Sequence, residues 1–136
     1  MKAQLSVLAL AALILHSSWI PRAEKTTETV VIKKATPNPN FAFFRTHRQG
    51  RGITATWGLD VNNGVSGFIV QKTYEDPGDP YSNWDNICAM NCDNSRSFKH
   101  EDENVSPGFV SYRVVAFLLG GGTMMSTVST ERIVGH

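Results

Sequence analysis

From Phe41 to Val134 the chain alternates short apolar runs with turn residues, and no window sustains a 3.6-residue period. Ile53-Thr-Ala-Thr-Trp57 repeats every second position, and Gly67 to Tyr74 is rich in β-branched and aromatic residues. Tyr81 to Met90, Arg96 to His100, Phe109 to Leu119 and Met124 to Val134 are further strand candidates. The separators are Asp60 to Gly64, Asp76 to Pro80, Ser106 to Gly108 and Gly120 to Gly122, which hold the Gly, Pro, Asn and Asp of tight turns. Several short strands with spaced turns predict an all-β antiparallel β-sandwich or barrel. Strict alternation then assigns the core. Ile53, Ala55 and Trp57 share one face, as do Phe68 and Val70, and as do Tyr112, Val114, Ala116 and Leu118. Two such faces about 10 Å apart enclose a hydrophobic interior.

The first segment reads differently. Met1 and Lys2 precede an almost wholly apolar run from Leu5 to Leu15. Eleven helical residues at about 1.5 Å each fall short of a hydrocarbon core of about 30 Å. The pattern predicts a secretory signal peptide over 1–23, hence a secreted or periplasmic protein with no membrane insertion after its removal. Glu24 to Asn40 combines β-branched residues with Pro37 and Pro39 and is expected to be a linker or an edge strand. The remaining domain is 41–136.

Composition narrows the function classes. The chain has 136 residues, room for one domain of this kind, and a formal net charge of +1, which gives no electrostatic reason to expect a nucleic-acid partner. The charge is nevertheless polarised. Between Thr73 and Val105 eight acids stand against Arg96 and Lys99, whereas Glu24 to Arg51 carries six basic residues against two acids. Asp76, Asp79 and the Glu101-Asp102-Glu103 run offer oxygen ligands for calcium but lack an EF-hand pattern. Arg45-Thr-His-Arg-Gln-Gly-Arg51 could meet a sulfated glycan or an acidic protein surface, and Tyr74, Tyr81 and Trp84 could form a platform for a sugar ring. Asn104-Val-Ser106 is a glycosylation sequon followed by an unfavourable Pro107. Cys88 and Cys92, the two cysteines, are expected to form a disulfide staple on a loop rim, as paired cysteines of exported proteins do.

Several anchors stand in the order of a fibronectin type III domain: Ile53 to Trp57, Gly67 to Thr73, Trp84-Asp-Asn-Ile87, Ser97 to Asp102, Val105-Ser-Pro-Gly108 and Tyr112 to Ala116. The chain resembles that family over about Phe41 to Val134. The resemblance implies a seven-stranded immunoglobulin-like sandwich, with Trp84 in its core and not on a sugar-binding platform. It also implies that Tyr112 is a corner tyrosine whose hydroxyl reaches the backbone just upstream. It implies a binding, spacer or cell-adhesion role, and the family has no shared catalytic set. The sequence shows no Gly-x-Ser-x-Gly, His-Glu-x-x-His or phosphate loop. The expectation is therefore a chain that is not an enzyme, with no catalytic residues, metal or cofactor. It would recognise a protein or cell-surface glycan through loops. Asn62, Asn63 and Gly64 on one loop, Leu119 and Gly121 on another, and Tyr81 are the candidate contacts. The alternative is a carbohydrate- or calcium-binding module centred on 74–85.

Overall fold

A computed structural model describes residues 39–135. The chain divides into two units, Met1–Lys34 and Ala35–His136, and the fold belongs to the second. The expected signal peptide, and the expected linker up to residue 38, lie outside the described residues. Eight strands and no helix are present among the described residues: β1 (Phe41–Gln49), β2 (Gly52–Leu59), β3 (Val65–Thr73), β4 (Asp85–Asn91), β5 (Phe98–Asp102), β6 (Gly108–Leu118), β7 (Thr123–Met125) and β8 (Ser129–Ile133). They form two sheets with wholly antiparallel pairing. One has the order β1-β2-β5, the other β4-β3-β6-β7, with β8 also paired to β6.

The core is the set that period-two alternation selects. Ile53, Ala55 and Trp57 from the first sheet meet Phe68, Val70, Val110, Tyr112, Val114 and Ala116 from the second, all buried. Trp57 stacks on Phe98 at 6.0 Å and meets Phe68 edge-on at 5.6 Å. Its Nε1 is buried without a hydrogen-bond partner. Burying each of these large side chains contributes about 1.5–3 kcal/mol.

The chain's last apolar run is not one strand. Residues 126–128 leave the ladder between β7 and β8, and the Ser126 hydroxyl accepts the Val114 N–H at 2.8 Å in place of a backbone carbonyl. The apolar pattern does not single out β1 as a strand: its register with β2 shifts between Phe41 and Phe43, which interrupts the alternation.

Candidate functional site

The antiparallel pairing of β3 with β6 sets the ends of the molecule. Leu119 N–H donates to the Gly64 carbonyl at 2.8 Å, so the 60–64 and 119–122 turns adjoin. Asn63, Leu119 and Gly121 are exposed there, Leu119 by 71%. Gly64 and Gly121 have φ of +89° and +93°, a backbone region that only glycine enters without strain. Asn62 is already engaged: its Nδ2 donates to the carbonyls of Asp93 and Ser95 at 2.7 and 2.8 Å, tying this turn to the β4–β5 connection. Tyr81 belongs elsewhere. It is 88% exposed on the loop that follows the far end of β3, some nine residues or roughly 30 Å of strand away. The six expected contacts therefore make one cluster of five and one outlier.

The loop between β3 and β4 is built by its acids. Asp76 accepts the Gly78 N–H and Asp79 the Tyr81 N–H, both at 2.9 Å. The Glu75 carboxylate accepts the Asn83 N–H at 2.8 Å, and the Asn83 backbone and side-chain bonds hold its pKa below the ordinary value. Asp76 and Asp79 thus close Asx turns, and Glu75 braces the loop across to Asn83. No set of three metal-ligating side chains converges among the described residues, so the calcium alternative has no assembled site there.

Two expectations about this region are corrected. Cys88 and Cys92 are free thiols. They sit on and just beyond β4, and the Cys92 N–H still bonds the Ser66 carbonyl on β3. Four extended residues separate two α-carbons by roughly 13 Å, about twice the reach of a disulfide. An extended strand, not a tight loop, is why the staple does not form. Burial raises both thiol pKa values, and Asp93 raises that of Cys92 further. Trp84 is not in the core either. It precedes β4 by one residue and lies half-exposed beneath the Arg113 guanidinium, 4.0 Å from its ring centroid.

Arg113 marks a site that sequence reasoning missed. Register places Gln71 of β3 opposite Arg113 of β6 and opposite Asn86 of β4, all on the sheet face turned away from the core. Arg113 Nε donates to Gln71 Oε1 at 2.7 Å, and Gln71 Nε2 donates to Asn86 Oδ1 at 2.8 Å. The terminal nitrogens of Arg113 have no protein partner among the described residues. The row continues into an apolar one of Ala89, Ile69, Val115 and Met125, with Phe117 beside it. The result is a guanidinium held over an indole, next to two amides, on an open sheet. It can hold a planar anion through two parallel N–H bonds.

The opposite side of the same sheet carries a second unexpected group. Lys72 and Asp102, both buried, pair at 2.9 Å across the two sheets, and Lys72 also donates to the Asn104 carbonyl at 2.7 Å. The Tyr112 hydroxyl donates to the same Asp102 oxygen at 2.8 Å. Tyr112, expected to reach the backbone just upstream, thus bonds a carboxylate ten residues upstream instead. Burial, then the Asp102 bond and charge, push its pKa far above the ordinary tyrosine value.

No family model matches the sequence, and no curated protein does. Solved structures do share the fold. Pectate lyase Pel3 from Pectobacterium carotovorum aligns with 71% of this chain at 13% identity and a TM-score of 0.53. A second Pel3 crystal structure aligns with 68% at 14% identity and a TM-score of 0.54. Pectate lyase PelI from Erwinia chrysanthemi, solved in complex with tetragalacturonic acid, aligns with 68% at 15% identity and a TM-score of 0.53. This chain spans only about a quarter of their lengths, 26–28%. The expectation that the chain is not an enzyme is corrected by this finding: the proteins that share its fold are enzymes, and the exclusion of catalysis is withdrawn.

Proposed function

We propose that this chain is an exported module with a fibronectin type III-like sandwich, which binds an acidic oligosaccharide on the open face of its larger sheet. The strand order supports the fold reading. The sheets count seven strands when β7 and β8 are taken as one interrupted final strand, in the sequence of anchors that the resemblance implies. Export rests on the apolar run Leu5 to Leu15.

The observation that carries the ligand class is Arg113. A guanidinium fixed over Trp84, with its Nε held by Gln71 and its terminal nitrogens open, suits a uronate carboxylate better than a neutral sugar. Gln71 and Asn86 add amide groups for ring hydroxyls. The fold-sharing pectate lyase solved with tetragalacturonic acid lends support to an acidic sugar as the ligand class.

Titration with galacturonate oligomers, followed by calorimetry and by tryptophan fluorescence, tests this. Arg113→Gln is expected to weaken binding by about 10- to 100-fold, the worth of a charge-assisted hydrogen bond. Equal affinity for a neutral glucan oligomer, or no binding by the intact protein, overturns the reading. A protein partner at the Gly64 and Leu119 end is the second reading, favoured by the exposure of Leu119. It predicts that Leu119→Asp abolishes partner binding and leaves sugar binding intact.

A further inference from the structure

The edge strands of the two sheets differ in one respect. β1 carries Arg45, His47 and Arg48, β5 carries Lys99, Glu101 and Asp102, and β8 carries Glu131 and Arg132. Such charges keep an edge from pairing with another chain. β4 is also an edge, bonded only to β3 among the described residues. It begins with Asp85 and has a register shift at Ile87, but from Asn86 to Cys92 it holds neither a charge nor a proline, and β7, which is uncharged too, is only three residues long. The Cys92 N–H bonds Ser66 on β3, so by alternation Met90 and Cys88 also aim their backbone groups at β3. The backbone groups of Ala89 and Asn91 are left facing the open edge.

We propose that β4 pairs antiparallel with β4 of a second copy of this chain, about a two-fold axis at Met90. In that register Ala89 faces the partner's Asn91, and the two exchange backbone hydrogen bonds in both directions. Cys88 faces the partner's Cys92, and Cys92 faces the partner's Cys88. Both lie at positions without inter-strand hydrogen bonds, where α-carbons approach to about 4.5 Å, inside the disulfide range of about 4.4–6.8 Å. Cys88, Met90 and Cys92 share the core-facing side of the strand, so the sulfur atoms of each pair meet on one face. No like charges oppose each other, because Asp85 faces the partner's Ser95 and Asp93 the partner's Ile87. The distance that forbids a bridge within one chain is removed when the second cysteine comes from another.

Oxidation completes the contact. Two disulfides form per dimer, and four thiols lose four protons and four electrons. Two equivalents of a small disulfide such as oxidised glutathione take these up and become four equivalents of thiol. A seven-residue edge buries less surface than stable protein interfaces usually do, so the bridges hold the dimer and a reductant releases it.

The test incubates the full chain with oxidised glutathione and follows non-reducing electrophoresis, sedimentation and intact mass. The expected product is a dimer four hydrogens lighter than two chains, with a Cys88–Cys92 crosslink, reverting to monomer on reduction. Cys88→Ser and Cys92→Ser must each abolish the covalent dimer, since every bridge needs one of each. Ala89→Pro removes an edge N–H without touching the β3 ladder, and is expected to cut the dimer yield by about tenfold or more through two symmetry-related hydrogen bonds. Circular dichroism confirms that the variant folds. A persistent monomer, a monomer two hydrogens lighter, or a covalent dimer surviving in either serine variant overturns the proposal.

Discussion

The two faces of the larger sheet each hold one cation against an aromatic ring and a polar partner, and they treat them in opposite ways. Inside, Lys72 is paired with Asp102 and bonded to Asn104, and Tyr112 closes the group from a neighbouring strand. Outside, Arg113 lies on Trp84 with its Nε bonded to Gln71 and its ends open. Lys72 and Arg113 occupy adjacent strands one rung apart, since Gln71 is the residue opposite Arg113. A single residue step turns a cation from an internal strut into an available hand. Trp57 and Trp84 repeat the contrast: one is sealed among Phe68 and Phe98, the other is half-exposed.

The inner face should be intolerant of change. Trp57→Ala is expected to cost about 3–5 kcal/mol, read from the urea midpoint. Asp102→Ala should cost about as much, because it leaves the Lys72 ammonium buried without its counter-charge. The double variant Lys72→Met with Asp102→Leu sharpens the point. It should recover most of that loss, and failure to do so would mean that the hydrogen bond from Tyr112 matters more than the ion pair. Next in size is an alkaline effect. The Tyr112 pKa is raised in the folded state, so its stabilising contribution is complete below about pH 10, the ordinary value for tyrosine. Stability should then fall by about 1.4 kcal/mol per pH unit above it, because the unfolded chain releases a proton that the folded chain keeps. Tyr112→Phe should flatten that slope in a pH series of denaturation curves. The smallest effect lies on the outer face. Trp84→Ala should lower stability by only about 0.5–1 kcal/mol, the worth of an exposed cation–π contact, while abolishing sugar-induced fluorescence change. A large stability loss there would break the comparison.

The inner face was the legible one. Alternation along β2, β3 and β6 names Ile53, Trp57, Phe68, Val70, Tyr112 and Val114, and all are buried. Lys72 was legible by the same rule, since it stands in phase with Phe68 and Val70. A charged residue at an inward position is itself a signal for a buried partner. Trp84 was not, because it precedes β4 and no strand period governs it. Neither was the Arg113–Gln71 contact: the two residues are 42 positions apart and meet only through register. The cysteine spacing misled for a related reason. Four positions mean proximity in a turn and separation in a strand, and the spacing alone does not say which applies.

The unpartnered Trp57 Nε1 offers a clock. Its proton is shut off from bulk solvent and meets no protein acceptor, and it sits between the two sheets. It can trade places with deuterium only when the sheets separate, so the decay of one indole resonance in heavy water measures how often the whole domain opens.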